Sequence, residues 1–294
     1  MTAMSAHTHD EVDWAARLPA MLRGDALDAE TLAGVASRLT GELPDTATVV
    51  DVGCGTGGMS AALVAELGKR SGGTLILVDA TDVLLAQARE SATKAAAGAP
   101  VRIETVVADL ADGLPAGVVP PADLIWASAV VHHLPDQQAG VAGLARALGG
   151  GGLLALAEGR LQNQCLPWDL GIGEPGLERR LLAARDDWFR ELRAGMAGVV
   201  AMPYGWNVAL TRAGLVDVTS FSSLFDHPAP ASAPVFDAAL DHLAWISRAA
   251  GDRVDETDRE TVRRLLDPGD PAFMGRRADV FLLATTTVYL GLSK

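Results

Sequence analysis

The run Val49-Val50-Asp51-Val52-Gly53-Cys54-Gly55-Thr56-Gly57-Gly58 constrains this chain more than any other stretch. An apolar segment suited to a strand buried on both faces passes straight into four glycines within six residues. Glycine at that density serves a backbone that adopts positive φ or lets a ligand approach it closely. The stretch therefore predicts a strand turning sharply into a helix at a ligand site. Its surroundings agree. Short apolar runs at 47–52, 74–79, 101–108, 122–129 and 153–158 alternate with helix-spaced segments at 59–67, 83–97 and 138–148. Strands alternating with helices of this length indicate an α/β fold with a parallel, doubly wound sheet.

Two ligand classes compete for the glycine loop. Gly53, Gly55 and Gly58 fit the G-x-G-x-x-G spacing of dinucleotide sites. Asp51 stands two residues before the first glycine, where a carboxylate repels a pyrophosphate and attracts an ammonium group. S-adenosylmethionine has such an ammonium and no phosphate. Asp79 ends the second strand and can accept both hydroxyls of a ribose. Asp109 follows the third and can take an adenine amine while Leu110 packs on the ring. Each aspartate alone could instead cap a helix; three at successive strand ends make that coincidence improbable. Hydride transfer by a Tyr/Lys pair is excluded, because Tyr204 and Tyr289 both lack a lysine four residues on.

On these residues the chain resembles the class I S-adenosylmethionine-dependent methyltransferases, in particular the bacterial small-molecule enzymes. The D-x-G-x-G-x-G of residues 51–57, the strand-end Asp79 and the Asp109-Leu110 pair carry the likeness, which is good over 46–158 and weaker over 206–215. The resemblance implies a Rossmann-like, doubly wound, seven-stranded sheet whose last strand, 280–290, is an antiparallel edge. It implies S-adenosylmethionine as cofactor, bound by Asp51, Gly53, Cys54, Gly55, Gly57, Asp79, Ala80, Asp109, Leu110 and the main chain around Ser128. The implied activity is methyl transfer to a small molecule, with secondary metabolism one setting. The same loop also suits a non-methyl-transfer use of this cofactor, or a protein methyltransferase.

The remainder is less specific. Residues 1–45 read as a helical extension with two helices near 11–23 and 29–39, ahead of a catalytic domain at 46–294. Insertions at 159–202 and 225–278 sit where α/β enzymes build substrate lids, though they could equally be packing helices. His132, His133 and Glu158 are the candidates for a base, since imidazole titrates near neutral pH. Trp14, Trp168, Tyr204 and Trp206 are candidate walls of an acceptor pocket, against ordinary core packing. His7 and His9 read as tail residues, and no His/Cys set of ligand spacing is visible, so no metal is expected.

Composition narrows the partners. The net charge is −13, three of the cations are lysines (Lys69, Lys94, Lys294), and no basic run offers a nucleic-acid footprint. Cys54 and Cys165 cannot build a disulfide framework. No stretch reaches the roughly 20 apolar residues of a membrane span, and residues 1–13 carry no apolar leader. The expectation is a cytoplasmic protein with a small-molecule substrate and no nucleic-acid or membrane partner, with a homodimer left open.

Overall fold

Side chains alternating along four strands build the core of this chain. In a computed structural model describing residues 13–114 and 119–294, Val49, Leu75, Leu77, Leu124, Trp126 and Ala155 face one apolar cluster. Val50, Val52, Ile76, Val78, Ile125, Ala127, Leu154 and Leu156 face another. A strand buried on both faces needs apolar residues throughout, which explains the unbroken runs. These strands are β1 (Ala47–Val52), β2 (Gly73–Asp79), β4 (Ala122–Ser128) and β5 (Leu148–Ala157), while β3 (Val101–Val107), at the sheet edge, is only half-buried. They are parallel, in the order β3-β2-β1-β4-β5. Helices α1 (Trp14–Thr40), α2 (Gly58–Gly68), α3 (Asp82–Ala96) and α4 (Gln137–Arg146) accompany them. The tail histidines His7 and His9 lie outside the described residues.

The chain forms two compact units. The first runs from the described N-terminal residues to Arg160 and adds Met196–Ser223 and Thr286–Lys294. Here the C-terminal half of the last strand lies antiparallel to β5, from Leu153↔Leu292 to Ala157↔Val288. The second unit comprises Leu161–Gly195 and Leu224–Thr285, so parts of both expected insertions come together in one body. It contains β6 (Leu161–Gln164), α5 (Leu177–Ala194), α7 (Ala233–Ala250) and α8 (Glu256–Leu266). β6 pairs antiparallel with the first half of the last strand, through Leu161↔Thr285 and Gln164↔Leu283. The remaining elements are α6 (Trp206–Arg212), β7 (Val216–His227), which pairs with that last strand, and the last strand itself, β8 (Leu282–Leu292).

Four expectations are corrected. The last strand is antiparallel but not an edge, because β8 pairs with β5 and also with β6 and β7. The strands number eight, not seven, because the four-residue β6 adds one. The two helices expected before residue 45 are one 27-residue helix, α1, which continues through Gly24 after starting at Trp14, capped by Asp13. A glycine inside a helix costs only about 1 kcal/mol, too little to break a helix that buries Val35, Ala36 and Leu39. β5 begins at Leu148, five residues early, with an irregularity in its pairing between Ala122 and Leu124.

Candidate cofactor and acceptor site

The first unit opens a crevice of about 740 Å³ where the C-terminal ends of β1, β2, β3 and β4 meet. Ligands of open α/β sheets bind at that edge, and the volume lies within the usual range for small-molecule pockets. The glycine loop forms its floor. Gly53, Gly55 and Gly57 all have positive φ, at 66°, 54° and 87°. A Cβ on Gly53 would stand 2.2 Å from Val130, and one on Gly57 would stand 2.6 Å from the Ala88 backbone. Both positions therefore need glycine for close packing as well as for dihedral angle.

Three carboxylates sit where the strand ends predict. Asp79 accepts from the Gly55 N–H (3.1 Å) through one oxygen and from the Thr81 N–H (2.9 Å) through the other. Those bonds orient it and leave lone pairs facing the crevice. Asp109 accepts from the Ala111 N–H at 2.8 Å, and Leu110 is 9% exposed beside it. Asp51 is 2% exposed and accepts from the Ser60 hydroxyl. Burial pushes its carboxyl up to about 7, assisted by the negative charges of Asp79 and Asp25. Asp79 is raised too, chiefly by burial. The buried Cys54 thiol is driven upward by burial and by Asp51 and Asp79, which makes it an inert wall.

From α1 the sequence reading offers Trp14 alone, and the helix contributes more. Trp14, Met21, Asp25, Asp28 and Leu32 all line the crevice, spaced by 7, 4, 3 and 4 residues along one helical stripe. Asp25 accepts from the Thr56 hydroxyl at 2.6 Å, and burial raises its carboxyl. A Cβ on Gly58 would lie 2.6 Å from the Asp25 carboxyl carbon, so glycine at the start of α2 lets the two helices touch. Asp28 stands 3.6 Å from the Arg160 guanidinium. The stripe is visible only once α1 is known to be continuous.

The candidate bases separate. Glu158 is 1% exposed; one of its oxygens accepts from the Val130 (3.0 Å) and Val131 (2.7 Å) N–H groups, and the other lies 2.6 Å from His132 Nδ1. It thereby holds the loop after β4, including Ala129, which has a positive φ of 54°. His133 lines the crevice, its ring centroid 3.9 Å from that of His132. Neither His132 nor Glu158 lines it. Of the aromatic candidates, Trp14 is on the crevice wall. Tyr204 donates to Gln138 Oε1 at 3.0 Å beneath the Arg212 guanidinium, and it packs with Trp206 on the core under α4 and α6. Trp168 belongs to the second unit, 57% exposed, with its ring against Gly176 and Arg179. Trp126 also lines the crevice, alongside Ala80 and Ser128.

Residues 50–154 match the sequence family described as methyltransferase domain. Over those residues the chain is similar to methyltransferase domains. That match spans the glycine loop and the strand ends that build the crevice. Two proteins named trans-aconitate 2-methyltransferase are similar to it. The protein from Azoarcus sp. is 37% identical over 39% of this chain and 40% of its own length. The Methylobacterium nodulans protein is 34% identical over 37% of each. The chain thus spans about two fifths of the curated relatives it matches. Among solved structures, the YcgJ protein of Bacillus subtilis shares 18% identity, covering 90% of this chain and 99% of that one, with a TM-score of 0.48.

The residues lining the crevice have the chemistry to hold S-adenosylmethionine. No lysine or arginine stands among the described residues lining the crevice, whereas five aspartates do, a wall that repels a pyrophosphate. A cation with a ribose and an adenine matches that wall. A phosphate does not.

Proposed function

We propose that this chain is an S-adenosylmethionine-dependent methyltransferase whose acceptor is a small molecule without strong negative charge. The observation that carries the proposal is the wall of the crevice: a glycine floor at positive φ, five carboxylates, and no cationic side chain among the described residues. Asp79 would hold the ribose hydroxyls, Asp109 and Leu110 the adenine, and the glycine loop with Asp51 the amino-acid end. Bound there, the cofactor supplies a methyl group already activated on a sulfonium.

What the protein adds is alignment and dryness. Holding two reactants in line can contribute roughly 7–11 kcal/mol in favourable cases. Trp14, Met21 and Leu32 of α1 supply apolar cover over the crevice. His133 is the group we assign to take a proton from an acceptor that must lose one, because its side chain lines the crevice. His132 and Glu158 act through it as positioning residues, fixing the loop from Val130 to His133.

The two relatives are named for trans-aconitate, a tricarboxylate. Five aspartates repel such an acceptor unless cations from elsewhere offset them, so trans-aconitate is the informative comparison. The test is an acceptor panel of amines, phenols, neutral carbonyl compounds and trans-aconitate, read by S-adenosylhomocysteine formation. Turnover with a neutral or cationic acceptor supports the proposal. Turnover with trans-aconitate alone rejects the acceptor class, and a crevice that titrates with NAD but not with S-adenosylmethionine rejects the whole.

A further inference from the structure

The second unit buries three side chains that the crevice chemistry does not use. Cys165, directly after β6, is fully buried; Glu178, in the first turn of α5, and His242, in the middle of α7, are 7% and 9% exposed. Their sulfur, oxygen and nitrogen atoms all lie within 4.8 Å of one another. Cys165 Sγ is 3.2 Å from Glu178 Oε1, and His242 Nε2 is 3.7 Å from the same oxygen.

We propose that Cys165, Glu178 and His242 form a zinc-type divalent metal site that staples β6, α5 and α7 within the second unit. Zinc bonds of about 2.3 Å to sulfur and about 2.0–2.2 Å to nitrogen and oxygen put neighbouring donors of a tetrahedral site about 3.3–3.6 Å apart. The two measured edges bracket that value. A thiolate, an imidazole and a carboxylate together select a borderline-soft metal; magnesium or calcium would prefer oxygen alone. The carboxylate is already oriented for the role. Its oxygens accept from the Cys165 N–H at 2.8 Å and the Leu166 N–H at 3.2 Å, the kind of outer contact that fixes a ligand.

Electrostatics favour the same assignment. Cys165 and Glu178 place a thiol and a carboxyl side by side in the interior. Two potential anions side by side in an interior repel, and a dication between them reverses the sign of the interaction. The three ligands come from two chain segments, 161–195 and 224–285, that a metal would fasten together. The spacings from Cys165 to Glu178 and from Glu178 to His242, 13 and 64 residues, match no ligand motif, which is why the sequence gives no hint of the site.

The test uses the untagged full chain, stripped with a chelator and titrated with cobalt(II). The expected result is a near-ultraviolet thiolate-to-cobalt charge-transfer band with the visible bands of a tetrahedral ion. Both saturate at one equivalent and are displaced by zinc. Cys165→Ser should abolish the charge-transfer band while Cys54→Ser keeps it. Glu178→Gln should weaken binding by at least the roughly 10–100-fold that loss of an outer partner costs. A wild-type titration with no such band overturns the proposal, as does a band that survives in Cys165→Ser. If Cys165→Ser fails to fold, the wild-type spectrum and its displacement by zinc decide the matter. None of these readings depends on turnover, so they stand apart from the proposed methyl transfer.

Discussion

Asp51 is a buried carboxyl with no cation against it among the described residues, and its ionisation costs free energy until a positive group arrives. With the carboxyl near 7 in the free protein, a cationic ligand binds only the ionised fraction well. The sign follows: the occupied site holds fewer protons, so affinity rises with pH. Between pH 6 and 8, S-adenosylhomocysteine affinity should increase about tenfold, one factor of ten being about 1.4 kcal/mol. Calorimetry at pH 6, 7 and 8 checks it, and Asp51→Asn should flatten most of the slope. Asp79→Ala should weaken binding by about 1–3 kcal/mol at fixed pH, through loss of charge-assisted bonds to ribose; unchanged affinity would remove that role. The histidines divide differently. His133→Ala should slow single-turnover transfer by about 10²-fold or more for an acceptor that must lose a proton. Glu158→Ala should instead lower the melting temperature, because it strands the Val130 and Val131 N–H groups in the interior.

At the scale of elements, α1 shows where local signals mislead. Gly24, followed by the acidic Asp25 and Asp28, looks like a gap between two helices, yet the chain stays helical from Trp14 to Thr40. A Cβ on Gly24 would meet nothing within 4 Å, so Gly24→Ala should stabilise the protein by about 0.5–1 kcal/mol. A thermal melt distinguishes this from a true break, where alanine would gain nothing. The central strands were legible because burial on both faces writes itself into consecutive apolar residues. β6 was not, because Leu-Gln-Asn-Gln has no alternation to read and forms only against β8. The glycine loop and the three strand-end aspartates were legible for a related reason: their geometry is local. Tyr204, Trp168 and Trp206 were not, since whether an aromatic lines a crevice or seats a returning segment depends on residues far away in sequence.

For the whole molecule, charge is the property that reaches the site from a distance. The chain carries −13, and the crevice adds no described cation on its wall. S-adenosylmethionine has one more positive charge than S-adenosylhomocysteine, so salt should weaken the former more. Raising ionic strength from 0.01 to 0.15 M shortens the screening length from about 30 to about 8 Å. Paired titrations of the two ligands read the difference, and parallel salt dependences would count against charge selection. The sequence displayed the charge but not its placement, because Asp25 and Asp28 join the site only through α1. The position of β8 has a consequence for how the protein comes into being. The C-terminal half of that strand is the neighbour of β5, which is synthesised long before it. Until those final residues have emerged from the ribosome, β5 presents an open edge to every other nascent chain nearby. Removal of residues 282–292 should therefore yield aggregates rather than a smaller folded protein.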